Sequence, residues 1–495
     1  MLTDGRLGSG PMPSLTQNVH RIELESELDG LQEYLEIDLA HIIALERCGA
    51  LSRSSAAGLI AALLDIAGPN PRQELVIEES QGSILLQIES YLIARCGSDG
   101  GMVQLARSRI DQNAAAMRMI ARRCAMEVFE VLLSLGKAQL AAAQEHDDLP
   151  APGYTHLQHS QPGTLGHYFN AHYWVTSRSI ERLSEILARI DRSALGGAAL
   201  VGTDWPLDRH RTAELLGHQD VVMNARDAGV FALDVGAELA MTLAMSLSGM
   251  ARLAGDIYFW SSSEVRLARL HPGLCGTSSM MPQKRNPYAV ERVRALAGES
   301  VGWPASQLGL LKMATSTDCD LVFTRNRVPE MCASTAGAAR LMTDVITTLE
   351  VDTEAMRRSA GAQWATASAL ADELVRRKGC SFREAHDIVA RLVRLSEERG
   401  TPSDQVRTED LRLAVADAGL DVEVDDVDVS AVLDVDRFLA SRRSLGGCAP
   451  EERARLAGLA TDDLRGLSEQ FDVRKRRIET AREQLFATAR ELATP

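Results

Sequence analysis

Apolar residues recur three or four positions apart through most of this chain, which is the spacing of one face of an α-helix. Leu28, Leu31, Tyr34, Leu35 and Leu39 make such a face near the start. The stretch from Ser108 to about Gln144 reads as one long helix, and another runs from Asp227 to about Phe259. Breaks fall where Gly and Pro cluster: 68-GPNP-71, Cys96-Gly97 to Gly100-Gly101, and 148-DLPAPGYTH-156. Residues 1 to about 18, rich in Gly, Pro and Ser, read as irregular. No convincing strand alternation occurs, so the pattern predicts an all-α fold.

The segment 239-LAMTLAMSLSGMA-251 holds no charge at all. A helix that is apolar or small all round must be buried on every face. Its Ser, Thr and Gly content and its shortness argue against lipid, so the expectation is subunits packed helix on helix. Past about residue 355 the helices become shorter and more charged. The acidic run 421-DVEVDDVDVSAVLDV-435 reads as a mobile or loop-rich region.

Composition narrows the class. With 495 residues the chain can bury a large core in more than one lobe. A net charge of −15 argues against nucleic acid as a partner, since phosphate binding needs a Lys/Arg surplus. Aromatics make up only 4%, a balance that favours helix over sheet. The eight cysteines show no CxxC or CxxH pairing, which speaks against structural zinc and for reduced thiols in a cytoplasmic protein. The N-terminus lacks a signal-peptide pattern, and no run approaches the roughly 20 unbroken apolar residues of a membrane span, so no membrane association is expected.

Three polar stretches interrupt the helices: 107-RSRIDQ-112, 153-GYTHLQHSQP-162 and 276-GTSSMMPQKRNP-287. Each alone has a bland reading. Isolated arginines are usually solvated surface charges, a single His is usually structural, and a Ser-Ser pair usually caps a turn. Together they offer Arg107 and Arg109, guanidiniums able to grip carboxylates in bidentate fashion. They add a Thr-His-x-Gln set and a loop bearing Ser, Lys and Asn. That inventory suits a dicarboxylate whose charge grows as a proton leaves the carbon beside a carboxylate.

The loop Ser278-Ser279-Met280-Met281-Pro282-Gln283-Lys284-Arg285-Asn286-Pro287 resembles the GSSxMPxKxNP signature of the fumarase/aspartase superfamily. GYTHLQHSQP is similar to the GYTHLQxAQP stretch of argininosuccinate lyases, as are RSRIDQ, 195-LGGAALVGTDWPLDR-209 and 442-RRSLGGCAPE-451 to theirs. These matches, in the family's order, cover residues from about 100 to 451. The resemblance implies a helical protein of three domains (1–106, 107–355 and 356–495). The middle domain would form the core of a homotetramer, with active sites shared between subunits. It implies anti elimination of fumarate, or a close analogue, from a small-molecule dicarboxylate, with no metal or organic cofactor.

By the same resemblance Ser278 is the base, and Lys284 stabilises the alkoxide and the developing dianion. His156 is the acid or a proton relay, tuned by Glu291. Ser108, Arg109, Thr155, Gln158, Ser279 and Asn286 bind substrate. The methionines of the loop would seal the closed site, with Gly276 and Pro282 letting it move and stop.

Departures from the family pattern fall mainly on the amine side. Thr277 replaces Gly, Ile110 replaces Asn, and Leu85 stands where the family has His. In 312-KMATSTDCDLVFTR-325 the family's Tyr, Gln and Lys fall on Thr317, Val322 and Arg325, or without a one-residue shift on Asp318, Phe323 and Asn326. The family's SxDAVSDRD is reduced to 225-ARDAGVFALD-234. The expectation is a lyase with altered amine-side specificity. The alternatives are a genuine argininosuccinate lyase and a non-catalytic, crystallin-like structural homologue.

Overall fold

The computed structural model describes residues 8–67, 75–312 and 318–494. The expected break at 68-GPNP-71 and the Thr317 position lie outside them. Helices dominate, and the long periodic stretch becomes α3, Arg109–Glu145, preceded by α1 (Arg21–Asp29) and α2 (Leu31–Arg47). A hairpin of β1 (Pro150–Thr155) and β2 (Gln158–Thr164) follows, then α4 (Leu165–Ile190), α5 (Asp234–Trp260), α6 (Tyr288–Ser300), α7 (Asp318–Thr347) and α8 (Pro450–Ala493). The all-α expectation holds. The hairpin stands where the sequence predicts only a turn cluster at 148–156, and Pro13–His20 is helical in place of an irregular start.

Helices α3, α4, α5 and α7 pack around one apolar core that includes Phe129, Leu183, Leu243 and Met342. A second core joins α2 to residues around Ile60 and Ile88, and a third holds residues 370–433. Helix α8 belongs to two of them. Leu467 and Phe471 enter the central core, Phe471 edge-on to Phe129 at 5.4 Å, while Leu485, Ala489 and Leu492 close the N-terminal core.

Helix α5 is long and apolar enough to cross a membrane by composition. Yet 67% of its most apolar window is buried inside the chain, which marks the core helix of a soluble protein. One stripe stays open, with Met241 49% and Met245 43% exposed. The acidic run 421–435 corrects its expectation. Val424, Val427, Val429 and Val432 point into the third core, while Asp425 and Asp426 face out to Arg412 and Arg377. Alternating valines supply burial and the aspartates find cations, so the segment is packed.

Candidate functional site

The serine loop is closed at its neck by a pair of backbone hydrogen bonds, Gly276 N–H to Asn286 O at 2.8 Å and Asn286 N–H to Gly276 O at 2.9 Å. Above that neck the Ser278 hydroxyl oxygen accepts N–H bonds from Met280 at 3.3 Å and Met281 at 3.0 Å. Lys284 N–H returns to Met281 O at 3.0 Å. Two amides aimed at one oxygen stabilise negative charge on it, as an alkoxide requires. The methionines therefore contribute their backbones here, while the Met280 side chain is 86% exposed.

Gly276 has a steric task. A Cβ there would stand 2.5 Å from the Tyr288 ring, whose backbone opens α6. A Gly276→Ala variant should displace that ring or part the neck, lowering kcat by about tenfold through misplacement of the loop. Steady-state kinetics beside thermal unfolding check this, and unchanged kinetics would contradict it. Glu291 sits half-buried in the first turn of α6, where a carboxylate complements the helix N-terminus. Ser279 and Lys284 are exposed, and Asn286 is half-buried at the neck.

The second platform is the hairpin tip. Thr155 pairs with Gln158, leaving His156 and Leu157 as a two-residue turn with φ of +56° and +59°. Both central residues in the left-handed region define a type I′ turn, which usually takes Asn or Gly. Placing His and Leu there costs about 1–3 kcal/mol each, and such strain gathers at functional sites. Thr155, His156 and Gln158 are all exposed. Among the described residues of one chain, no hydrogen bond or ion pair joins this tip to the serine loop, and none links His156 to Glu291.

The third platform is the N-terminus of α3. Ser108 and Asp111 form its capping box, with Ser108 N–H donating to Asp111 Oδ1 at 2.8 Å. The other oxygen of Asp111 accepts from Gly196 N–H at 3.1 Å and Ala198 N–H at 3.0 Å. Asp111 is wholly buried, and burial pushes its carboxyl up against the pull of those donors and of Arg107. It thereby fastens the 195–202 loop, where Ala198 and Leu200 take positive φ, to the turn that presents Ser108 and Arg109. Ser-x-x-Asp before an apolar run is a capping signature, the one signal in the sequence that marks Asp111.

Arg107 corrects its expectation as a carboxylate binder. Its guanidinium meets Asp38 at 2.6 Å, with both side chains nearly sealed from solvent. A buried pair of this kind holds structure in place. Asp38 belongs to a polar stripe on α2. His41 Nε2–H meets Leu105 O at 2.8 Å, and burial holds that imidazole well below its usual pKa, hence neutral. Tyr34 donates to Asn113 Oδ1 at 2.8 Å. Tyr34, Asp38 and His41 recur at helical spacing inside an otherwise apolar face, the signal that could have marked them.

Arg325 completes this cluster from α7. It is 1% exposed, and its Nη1 donates to Tyr34 Oη at 2.7 Å while Nε donates to Ser26 Oγ at 3.0 Å. Nη1 also stands 3.5 Å from Glu27, whose carboxyl burial pushes up and the guanidinium pulls back. The apolar departures differ in their surroundings. Leu85 is in the N-terminal core, Val322 is buried and Phe323 is 57% exposed. Ile110 packs beside Gly229, joining the rewritten 225–234 segment to α3.

The family model described as Lyase matches residues 25–302, and the one described as argininosuccinate lyase C-terminal matches residues 364–440. The argininosuccinate lyase of Methanocorpusculum labreanum is 31% identical over 495 residues, covering 99% of each chain. This chain belongs to the argininosuccinate lyase-like branch of the fumarase/aspartase superfamily. Among solved structures, EDDS lyase in complex with formate is 30% identical with a TM-score of 0.85, covering 93% of this chain and 91% of that one. An EDDS lyase variant with bound fumarate is 28% identical with a TM-score of 0.86, covering 99% and 97%.

Proposed function

We propose that this family member eliminates fumarate from an N-substituted aspartate whose amine differs from that of argininosuccinate. Its family makes it a carbon–nitrogen lyase that releases fumarate. The observation that carries the mechanism is the Ser278 oxygen held by the Met280 and Met281 amides. Ser278 takes the Cβ proton, and Lys284 and Asn286 hold the growing carboxylate charge. Ser108, Arg109, Thr155, Gln158 and Ser279 fix the two carboxylates. The C–N bond then breaks, its electron pair leaves with nitrogen, and His156, assisted by Glu291, returns a proton to the amine.

The chemistry needs a dry site, yet the hairpin tip and the serine loop are exposed in the single chain. A homotetramer that covers the open Met241–Met245 stripe and brings these platforms together from different subunits meets that need. The same reading divides the chain at about residues 106 and 355 and places the protein in the cytoplasm. The altered amine side rests on Val322 and the buried Arg325, which cannot supply the exposed polar contacts of the family pattern.

A panel of N-substituted aspartates followed by fumarate absorbance tests the proposal. At least one compound should be turned over, and argininosuccinate should be turned over poorly. Argininosuccinate turnover at an ordinary lyase rate would remove the altered-amine reading. Release from none would remove the lyase assignment.

A further inference from the structure

The hairpin that presents Thr155, His156 and Gln158 is held from behind. Successive side chains of a strand alternate between its two faces. Tyr154 and His159, the opposed pair one step back from the tip, therefore lie on the face opposite Thr155 and Gln158. Their rings stand 4.9 Å apart, and the Tyr154 ring meets Phe259 of α5 edge-on at 5.2 Å. Both polar ends reach one hydroxyl. Ser359 Oγ lies 3.3 Å from Tyr154 Oη and 3.1 Å from His159 Nε2.

Ser359 is a fixed point for that pair. It belongs to the helix Thr353–Gly361, which Asp352 caps by accepting from Ala355 N–H at 2.9 Å. Met356 of the same helix is fully buried in the central core. A hydroxyl has one proton to give and lone pairs to accept with, so Ser359 can donate to one partner while accepting from the other. Burial holds the His159 imidazole below its usual pKa, so the ring is neutral near neutral pH and can take either part. Among the described residues, no side chain from outside the hairpin other than Ser359 hydrogen-bonds to residues 154–159. His156 and Leu157 keep φ of +56° and +59°, and a strained turn persists only where its surroundings hold it.

We propose that Ser359 is a positioning residue for the return of the proton to the leaving amine. By bridging Tyr154 and His159 it fixes where the strained tip presents His156. This rests on the lyase reading above, which supplies the role of His156. It deepens that reading by naming what keeps an exposed, strained acid in place.

Steady-state kinetics of fumarate release test it. Ser359→Ala should lower kcat by about tenfold and raise KM less, because Ser108, Arg109 and Ser279 hold the carboxylates from other platforms while His156 depends on the hairpin alone. Ser359→Thr keeps the hydroxyl and should recover most of the loss. Tyr154→Phe should add little to Ser359→Ala, since both remove the same bridge. Wild-type kcat in a folded Ser359→Ala variant, or a change in KM alone, would overturn the assignment. Should that variant not fold, Tyr154→Phe decides the matter by itself, with a lower kcat supporting the bridge and an unchanged one refuting it. If no aspartate releases fumarate, the lyase reading fails, and amide hydrogen exchange still judges the clamp. Faster exchange across residues 150–164 in Ser359→Ala supports it, and equal exchange refutes it.

Discussion

Replacing Ser278 by Ala is expected to lower kcat by roughly a thousandfold while the protein stays folded. The Ser278 oxygen is the group on the loop that two backbone amides converge upon, so its removal deletes both the base and the charge those amides stabilise. The loop lies at the surface, and loss of two hydrogen bonds there costs about 1 kcal/mol of stability, little beside the catalytic effect. Rate and thermal midpoint measured together separate the possibilities. Full activity in the alanine variant would take Ser278 out of its role, and would favour the structural-homologue reading if the wild type were also inert.

The second large effect is expected at Asp111, which touches no substrate. Asp111→Ala strands the N–H groups of Ser108, Gly196 and Ala198, all donating at 2.8–3.1 Å to one buried carboxylate. At about 1–3 kcal/mol for each unsatisfied buried donor, the total loss is on the order of 4 kcal/mol, enough to lower the unfolding midpoint markedly. The same change frees the turn that carries Ser108 and Arg109, so KM should rise as well. Asp111→Asn keeps an oxygen for some of these donors and should fall between the two. A variant with wild-type midpoint and wild-type KM would show that the carboxylate holds nothing.

The long helices were legible because their apolar spacing persists through the 37 residues of α3 and the 27 of α5. The hairpin was not, since its two-residue turn uses His156 and Leu157 where backbone sterics favour Asn or Gly, so the Gly/Pro cluster before it reads as a plain break. Ser278, Lys284 and Asn286 could be found because one loop must carry the bond-breaking chemistry in one short sequence. The buried polar cluster around Arg107 and Arg325 could not. Tyr34, Asp38, Asn113, Arg325 and Glu27 come from four helices and meet only after folding. In the sequence each reads as an ordinary helix residue. Arg107 misled for the same reason, because burial turned a candidate substrate ligand into a partner of Asp38.

Helix α8 has a consequence for how the chain is made. Its last turns supply Leu485, Ala489 and Leu492 to a core otherwise built from the first half of the sequence. During translation that early segment emerges with an apolar groove that nothing yet synthesised can fill. The N-terminal core is therefore completed only when residues 485–492 have been synthesised and have left the ribosome. A nascent chain stalled before residue 485 would carry its earliest-made part as its least finished one.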